Sequence, residues 1–377
     1  MARLCPAVPR ETIEFVSIGS LALVSPYALD APGGVQGQVR GLALEMTIRD
    51  WSVSVAAPGP ANDEALLNAG VELISLGAST SVRANGSRAP LSFHLGKARS
   101  FARACEARSV DIVHVHEPLA PVASWPLLAR HKIPILATFH RSGIDALSSF
   151  AGVALRRLVR NIDDAIAVSD AAATTLRDTC GIDSTVLFNG IDLTSLESVK
   201  ASATTGPTVL FLGRDEPRKG RRVLLDAAPL LGRDVTIWVT GKREPVESSG
   251  ARVEFLGHIN EEEKVARLRA ADVLCAPSLG GESFGIVLLE GLASGCAVVA
   301  SAIDGYEQAL NGHGILVTPN DPVALSEGVR QALALDSQGV AQERRAYLEH
   351  WSMGNLAGIY EQRYRALISA RNSEQRG

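Results

Sequence analysis

A chain of 377 residues has room for two or more domains, each with its own core. With 46% hydrophobic and 21% charged residues and a net charge of −4 at pH 7, it cannot bind nucleic acid over its whole surface, and any attraction to an anionic surface must be local. Five cysteines (Cys5, Cys105, Cys180, Cys275, Cys296) are odd in number and lack C-x-x-C spacing, so they indicate neither a disulfide framework nor a zinc site and fit a reducing compartment.

The opening "MARLCPAVPRETIEF" has no adequate apolar stretch behind its basic residues and does not read as a secretory signal. No window approaches 18 consecutive apolar residues. The expected location is the cytoplasm, with membrane contact at most peripheral. Short apolar runs then alternate with helical patterns: "VSIGSLALVS", "SVSVAAP", "VELISL", "DIVHVHEP", "IPILATFH", "DAIAVSD" and "STVLFNG". After the polar stretch "SLESVKASATTGPT" they resume as "TVLFLGR", "VTIWVTG", "VEFLGH", "DVLCAPS", "CAVVAS" and "GILVTP". Continuous β-branched runs separated by helices predict parallel strands buried on both faces. The predicted fold is α/β, two Rossmann-like doubly wound domains facing each other across a cleft. The Ser/Thr/Gly-rich break near 196–207 divides a first domain, 1–200, from a second, 201–353. The final helical stretch, 354–377, is expected to pack back on the first domain.

Ligands of open parallel sheets bind beyond the carboxyl ends of the strands. After the first strand, Pro32-Gly33-Gly34 forms a tight turn before an amphipathic helix, so the amides of Gly34 and Val35 can face a diphosphate. His140 follows "IPILATF", at a strand end suited to contact with a sugar hydroxyl. Arg214 and Lys219 follow "TVLFLG", a spacing at which two cations can clamp the phosphates of a leaving nucleoside diphosphate. The segment "VEFLGHIN" ends another strand near where a nucleobase would lie.

The most informative stretch is "SLGGESFGIVLLEGLASG", Ser278 to Gly295, which places Glu282 and Glu290 eight residues apart across a glycine-rich turn into a helix. Gly280 and Gly281 permit close backbone approach to a ligand. The amides of Ser283, Phe284 and Gly285 fall at the helix N-terminus, where phosphate oxygens are favoured. Glu282 can accept hydrogen bonds from sugar hydroxyls; Glu290, about two turns into the helix and half buried, can reach the ribose.

This stretch resembles the E-x7-E signature of retaining glycosyltransferases with the GT-B fold. Together, "SPYALDAPGGVQ", "VHVHEPLAP", "ATFH", "AVSD", "FNGIDL", "FLGRDEPRKG", "CAPSLGGESFGIVLLE" and "AVVAS" resemble the phosphatidylinositol mannosyltransferases of actinobacteria, over nearly the whole chain from about Ser17. The resemblance implies transfer of mannose from GDP-mannose to the 2-position of the inositol ring of phosphatidylinositol, with retention of the α configuration. It implies that Gly34 binds the diphosphate, His140 lies at the transferring sugar, and Arg214 and Lys219 hold the phosphates. Glu282 then contacts mannose and Glu290 ribose, with Ser283, Phe284 and Gly285 completing the donor site. Tyr27, Gln36, Asn85 and Ser87 match residues lining the acceptor's inositol-phosphate site. The chain departs from the family where a basic residue is replaced by Pro90, for which Arg88 is the substitute, and at Arg141, which follows the cleft histidine.

No D-x-D motif occurs, so no carboxylate pair is indicated for a divalent metal, and no metal or other cofactor is expected. Neither glutamate is placed as a nucleophile, and double displacement is not favoured. The family pattern is front-face substitution, with the departing phosphate oxygen taking the acceptor's proton. "LSFHLGKARSFARACEARS", Leu91 to Ser109, sets Leu95, Phe101 and Ala102 near one face, with Lys97, Arg99, Arg103 and Arg108 elsewhere and Glu106 as its only acid. It is either an interfacial helix for anionic lipid on the inner face of the cell membrane or an ordinary packed helix. Other functions consistent with the donor motifs are transfer to a soluble acceptor, nucleotide-sugar epimerisation, and nucleotide binding without catalysis.

Overall fold

Seven of the predicted runs form one sheet in the computed structural model, which describes residues 17–31, 33–84, 87–130, 132–140, 157–246, 249–282, 284–335 and 341–374. The strands are β1 (Gly19–Val24), β2 (Trp51–Ala57), β3 (Glu72–Ser75), β4 (Thr80–Ala84), β5 (Ser87–Leu91), β6 (Ile112–His116), β7 (Ile135–Phe139), β8 (Asp164–Ala167) and β9 (Thr185–Val186). The second half contributes β10 (Thr208–Phe211), β11 (Thr236–Thr240), β12 (Arg252–Gly257), β13 (Val273–Ala276), β14 (Ala297–Ser301) and β15 (Ile315–Val317). The first sheet has the order β3-β2-β1-β6-β7-β8-β9 and the second β12-β11-β10-β13-β14-β15. Every pairing within these two sheets is parallel.

Helices cover both faces, which is why β6, β7 and β14 are buried at every position and read as largely apolar runs. In the first sheet the order reverses between β1 and β6, in the second between β10 and β13. Such switch points open a crevice at the carboxyl ends of the flanking strands, and the candidate residues follow those strands.

The last helix, Met353–Glu374, buries Met353, Leu356, Ala357, Tyr360 and Tyr364. Their spacing of three, one, three and four lays one apolar stripe along the helix. That stripe joins the core of the first sheet with Leu21, Leu42, Met46 and Trp51, so the chain's end is part of the first domain's interior. The larger of these side chains, such as Leu356 and Met353, each contribute roughly 1.5–3 kcal/mol by burial. The chain passes between the halves twice, and the two passes are bonded together: Ile191 N–H donates to Trp351 O at 2.8 Å, and Met353 N–H to Ile191 O at 2.8 Å. Gln38 pins the same place, its Nε2 donating to Gly190 O at 2.7 Å and its Oε1 accepting from Gly190 N at 2.9 Å.

Two local features differ from the sequence expectation. The segment around "RANGSRAP" forms an antiparallel hairpin, β4 with β5. The helix expected over Leu91 to Ser109 runs only Leu95–Ala107, since Leu91 closes β5. Its residues Phe101, Ala102 and Cys105 pack into the first domain's core with Val113, Leu127 and Leu128, and Ala98 is buried on the same helix. Phe101 and Ala102 are therefore occupied by the protein's own interior and present no lipid-facing surface.

Candidate active site

The two loops at the second switch point are locked together by a glycine. After β10 the chain makes a 3-10 turn, Pro217–Lys219, ended by Gly220 with φ +70. A Cβ there would lie 1.7 Å from Pro277 O, at the exit of β13, so no other residue fits without displacing backbone. Leu279 N–H donates to Arg218 O at 2.7 Å, completing the junction.

This contact brings charged side chains into one group. Lys219 Nζ lies 2.7 Å from Glu282 Oε1, Arg218 pairs with the same oxygen, and Arg218 Nη1 also donates to Gly281 O at 3.2 Å. Arg218 Nη2 lies 2.8 Å from Glu216 Oε2, and Arg214 Nε 3.6 Å from Glu216 Oε1. Three cations thus share two carboxylates. Arg214 is the loosest member, its side chain 51% exposed. An anion arriving here meets a preorganised positive excess, and direct charge-assisted bonds from Arg and Lys are the strong kind.

Gly280 and Gly281, with φ +146 and +70, take the loop past Arg218 to Gly285, which caps the helix Ile286–Ala293 at φ +88. A Cβ on Gly285 would strike the Tyr306 ring at 2.5 Å, and Tyr306 Oη bonds Ser278 Oγ at 2.8 Å, so the loop is seated on that ring. Because the helix begins at Ile286, Glu290 stands little more than one turn into it rather than two. Glu290 is half buried and pairs through Oε1 with Lys264 Nζ at 2.9 Å. Lys264 comes from the helix Glu261–Leu268 that follows β12, the "VEFLGHIN" strand. Burial raises the Glu290 carboxyl above its usual range against the pull of Lys264. Burial lowers the Lys264 ammonium, but Glu290 and Glu261 outweigh it and the net shift is upward. Phe284 is buried, its ring stacked at 4.9 Å on Phe188 of the first domain and 5.6 Å from Trp351. Ser283 lies outside the described residues.

At the first switch point Gly34 opens the helix Gly34–Ile48, whose N-terminus has no side-chain cap. A Cβ on Gly34 would meet nothing within 4 Å, so the described residues leave open space beside its Cα, and the helix's first-turn amides have no side-chain cap. Beside it Gln36 is buried, with Nε2 3.4 Å from Ala28 O, folded so closely over Gly33 that a Cβ there would sit 2.4 Å from Gln36 Oε1. Tyr27 forms a bridge to Leu91 at the base of the β4–β5 hairpin and packs with Leu91, Ala120 and Val82. Ser87 pairs with Ala84 and Arg88 with Arg83 in that hairpin; Asn85 and Arg141 lie outside the described residues.

His140 emerges from β7 beside His116, the last residue of β6. His116 Nδ1 and His140 Nε2 are 3.0 Å apart, and the His140 amide donates to Glu117 Oε2 at 2.9 Å. Burial pushes the His140 imidazole down to about 3, so it is neutral in ordinary buffers. Sequence reasoning passed over Glu216, Arg218, Lys264, His116 and Glu117. Arg218 stood between Arg214 and Lys219 in "GRDEPRKG", and "HVHEP" ended a strand, where both invited attention; Lys264 in "EEEK" carried no signal beyond a solvated helix face.

Two facing crevices at strand ends, one lined by cations and a paired glutamate loop, define a GT-B glycosyltransferase, an enzyme that transfers a hexosyl group. Residues 32–195 match the model "Glycosyltransferase Family 4" and residues 206–334 the model "Glycosyl transferases group 1". The backbone is similar to that of a glycosyltransferase from Rickettsia africae, with a TM-score of 0.72 at 18% identity, covering 93% of this chain and 98% of that one. The sequence is 39% identical over 337 residues to the phosphatidyl-myo-inositol mannosyltransferase of Mycobacterium tuberculosis H37Rv, covering 84% of this chain and 88% of the relative. It is 38% identical over 302 residues to the protein of the same name from Propionibacterium freudenreichii, covering 77% and 79%. The chain belongs to the phosphatidyl-myo-inositol mannosyltransferase family.

Proposed function

We propose that this enzyme transfers mannose from GDP-mannose to the inositol ring of phosphatidylinositol, with retention of the α configuration and without a metal. What carries the proposal is a conjunction in one chain. The relatives named phosphatidyl-myo-inositol mannosyltransferase match 77–84% of it, and three cations converge on Glu216 and Glu282 at the ends of β10 and β13.

The second domain takes the donor. Arg214 and Lys219 hold the diphosphate with the first-turn amides at Gly34, Glu282 contacts the mannose and Glu290 the ribose. Ser283, Phe284 and Gly285 offer backbone amides. The first domain takes the acceptor near Tyr27, Gln36, Asn85, Ser87 and Arg88. In the transfer step the bond between mannose C1 and the β-phosphate oxygen breaks, and a bond from C1 to the inositol oxygen forms on the same face. The inositol hydroxyl gives its proton to the departing phosphate oxygen, whose growing charge the clamp stabilises.

The acceptor is a lipid, so the enzyme must meet a membrane surface. Among the described residues no helix is long and apolar enough to cross one. Lys97, Arg99 and Arg103 are exposed along the helix Leu95–Ala107, and at its start Phe93 and Leu95 are 51% and 37% exposed. Basic side chains beside exposed apolar ones suit peripheral attachment to anionic lipid. Arg108 is engaged instead with Glu72 at 2.6 Å, and Glu106 with Arg130 and Lys132. The test is to supply purified enzyme with GDP-mannose and vesicles containing phosphatidylinositol. Mannosylated lipid is the expected product, and release of free mannose alone, unaffected by the lipid, would overturn the proposal.

A further inference from the structure

We propose that His116 is a positioning residue: it donates from Nδ1 to His140 Nε2 and so holds His140 in the tautomer protonated on Nδ1, with that N–H available to an oxygen of the transferring sugar. The sugar contact rests on the function proposed above; the tautomer does not.

The geometry begins with strand register. β6 and β7 are adjacent and parallel, with His116 opposite Thr138. His140 is two residues beyond Thr138, on the same face, and its ring stacks on that of His116 at 5.3 Å and 21°. His116 stacks in turn on His114 at 4.3 Å and 25°. His114 is fixed at both nitrogens, Nδ1 lying 2.6 Å from Tyr364 Oη and Nε2 2.8 Å from Thr138 Oγ1. Thr138 Oγ1 lies 3.1 Å from Tyr360 Oη. Two tyrosines of the last helix thus brace a column of three imidazoles that ends at the crevice.

Chemistry then selects the direction of the terminal hydrogen bond. Burial holds His140 down at about 3 and His116 well below its usual range, so both rings are neutral. Two neutral imidazoles 3.0 Å apart share one proton: one nitrogen donates, the other accepts. If His140 donated, His116 would carry its own proton on Nε2. That atom is buried, in a residue only 2% exposed, and has no hydrogen-bond partner among the described residues. A stranded N–H is rarer and costlier than an under-used acceptor. If His116 donates from Nδ1, Nε2 is only a lone pair, and His140 must carry its proton on Nδ1. Glu117 anchors the His140 main chain by accepting its backbone N–H at 2.9 Å.

The nitrogen that carries the proton is set by the bond the other nitrogen makes, and it can be read directly. In protein labelled with 15N-histidine, the long-range proton–nitrogen spectrum identifies the His140 ring as the one missing from His140→Ala. The expected wild-type pattern is protonation on Nδ1 alone at pH 7. His116→Asn places an amide near the Nδ1 position and should preserve both that pattern and kcat within about twofold. His116→Gln places its amide deeper, so His140 should average between tautomers. Its kcat should fall about tenfold, the effect of one lost hydrogen bond, with nucleoside diphosphate affinity unchanged. Protonation of His140 on Nε2 in the wild type, or an unaltered His140 spectrum in His116→Gln, would overturn the proposal. The wild-type spectrum decides even if neither variant folds. Failure to mannosylate phosphatidylinositol would count against the proposed function alone.

Discussion

Lys219 Nζ stands 2.7 Å from Glu282 Oε1, joining the turn after β10 to the glycine loop after β13. The pair exists because Gly220 lets the first turn press against Pro277. On the function proposed above, the cation that would take phosphate and the carboxylate that would take a sugar hold each other in place before either ligand arrives.

Removing a clamp charge should slow transfer far more than it disturbs folding. Arg214→Ala and Lys219→Ala are each expected to lower kcat by roughly 10²-fold, the typical loss for one preorganised charge-stabilising donor. Arg214 is half exposed and Glu282 keeps Arg218, so thermal midpoints should barely move. Turnover equal to wild type in both variants would remove these residues from the phosphate site.

The two signature glutamates should separate by ligand. Glu282→Gln is expected to impair transfer while leaving affinity for the free nucleoside diphosphate nearly intact, because that ligand carries no mannose. Glu290→Ala should weaken the diphosphate itself, by about 1 kcal/mol or more for a lost hydrogen bond from ribose to a charged group. Calorimetric titration of both variants checks this; equal losses would contradict the division.

Stability should fall as acid is added, starting near neutrality. His114, His116 and His140 all have folded values below the unfolded value of about 6.5. Above that pH the rings are neutral in both states and cost nothing. Below it the unfolded chain takes up protons that the folded one refuses, until the pH approaches about 3, where His114 and His140 titrate. Each ring then removes about 1.4 kcal/mol per pH unit. Urea unfolding at pH 7.5 and 5.5 should show the loss, and His114→Asn should remove about a third of it. A midpoint that does not fall between those pH values would contradict the neutral column.

Neutralising Lys97, Arg99 and Arg103 together should weaken binding to vesicles of anionic lipid by about 1 kcal/mol per charge at low salt, and by less at high salt. Nucleotide affinity should stay as it was, since these exposed side chains on the helix Leu95–Ala107 are not among the residues proposed to hold the donor. Sedimentation with vesicles equal to wild type would mean that the helix serves only as packing.

The strands were legible because a parallel sheet covered on both faces needs runs of mainly apolar, β-branched residues, as in "DIVHVH" and "CAVVAS". That Arg214, Lys219, Glu282 and His140 lie in the loops at strand ends was legible because they follow such runs. Other features depend on what the chain meets in space. Nothing in "EEEK" says that Lys264 reaches Glu290, and nothing in "GRDEPRKG" says that Arg218 bridges two carboxylates. The helix at Leu95–Ala107 shows the opposite limit, since an amphipathic pattern is the same whether its apolar face meets a core or a lipid. The β4–β5 hairpin escaped notice because its strands are short, mix apolar with polar residues, and pair only with each other.

The most direct test of the central claim is a donor-by-acceptor panel with purified enzyme. GDP-mannose, UDP-glucose and ADP-glucose would each be offered with phosphatidylinositol vesicles, with vesicles lacking it, and with free inositol, the products being identified by mass and by the anomeric coupling of the new linkage. The expected result is α-mannosylated phosphatidylinositol from GDP-mannose alone. Equal transfer from another donor, or transfer to free inositol with no gain from the lipid, would contradict it.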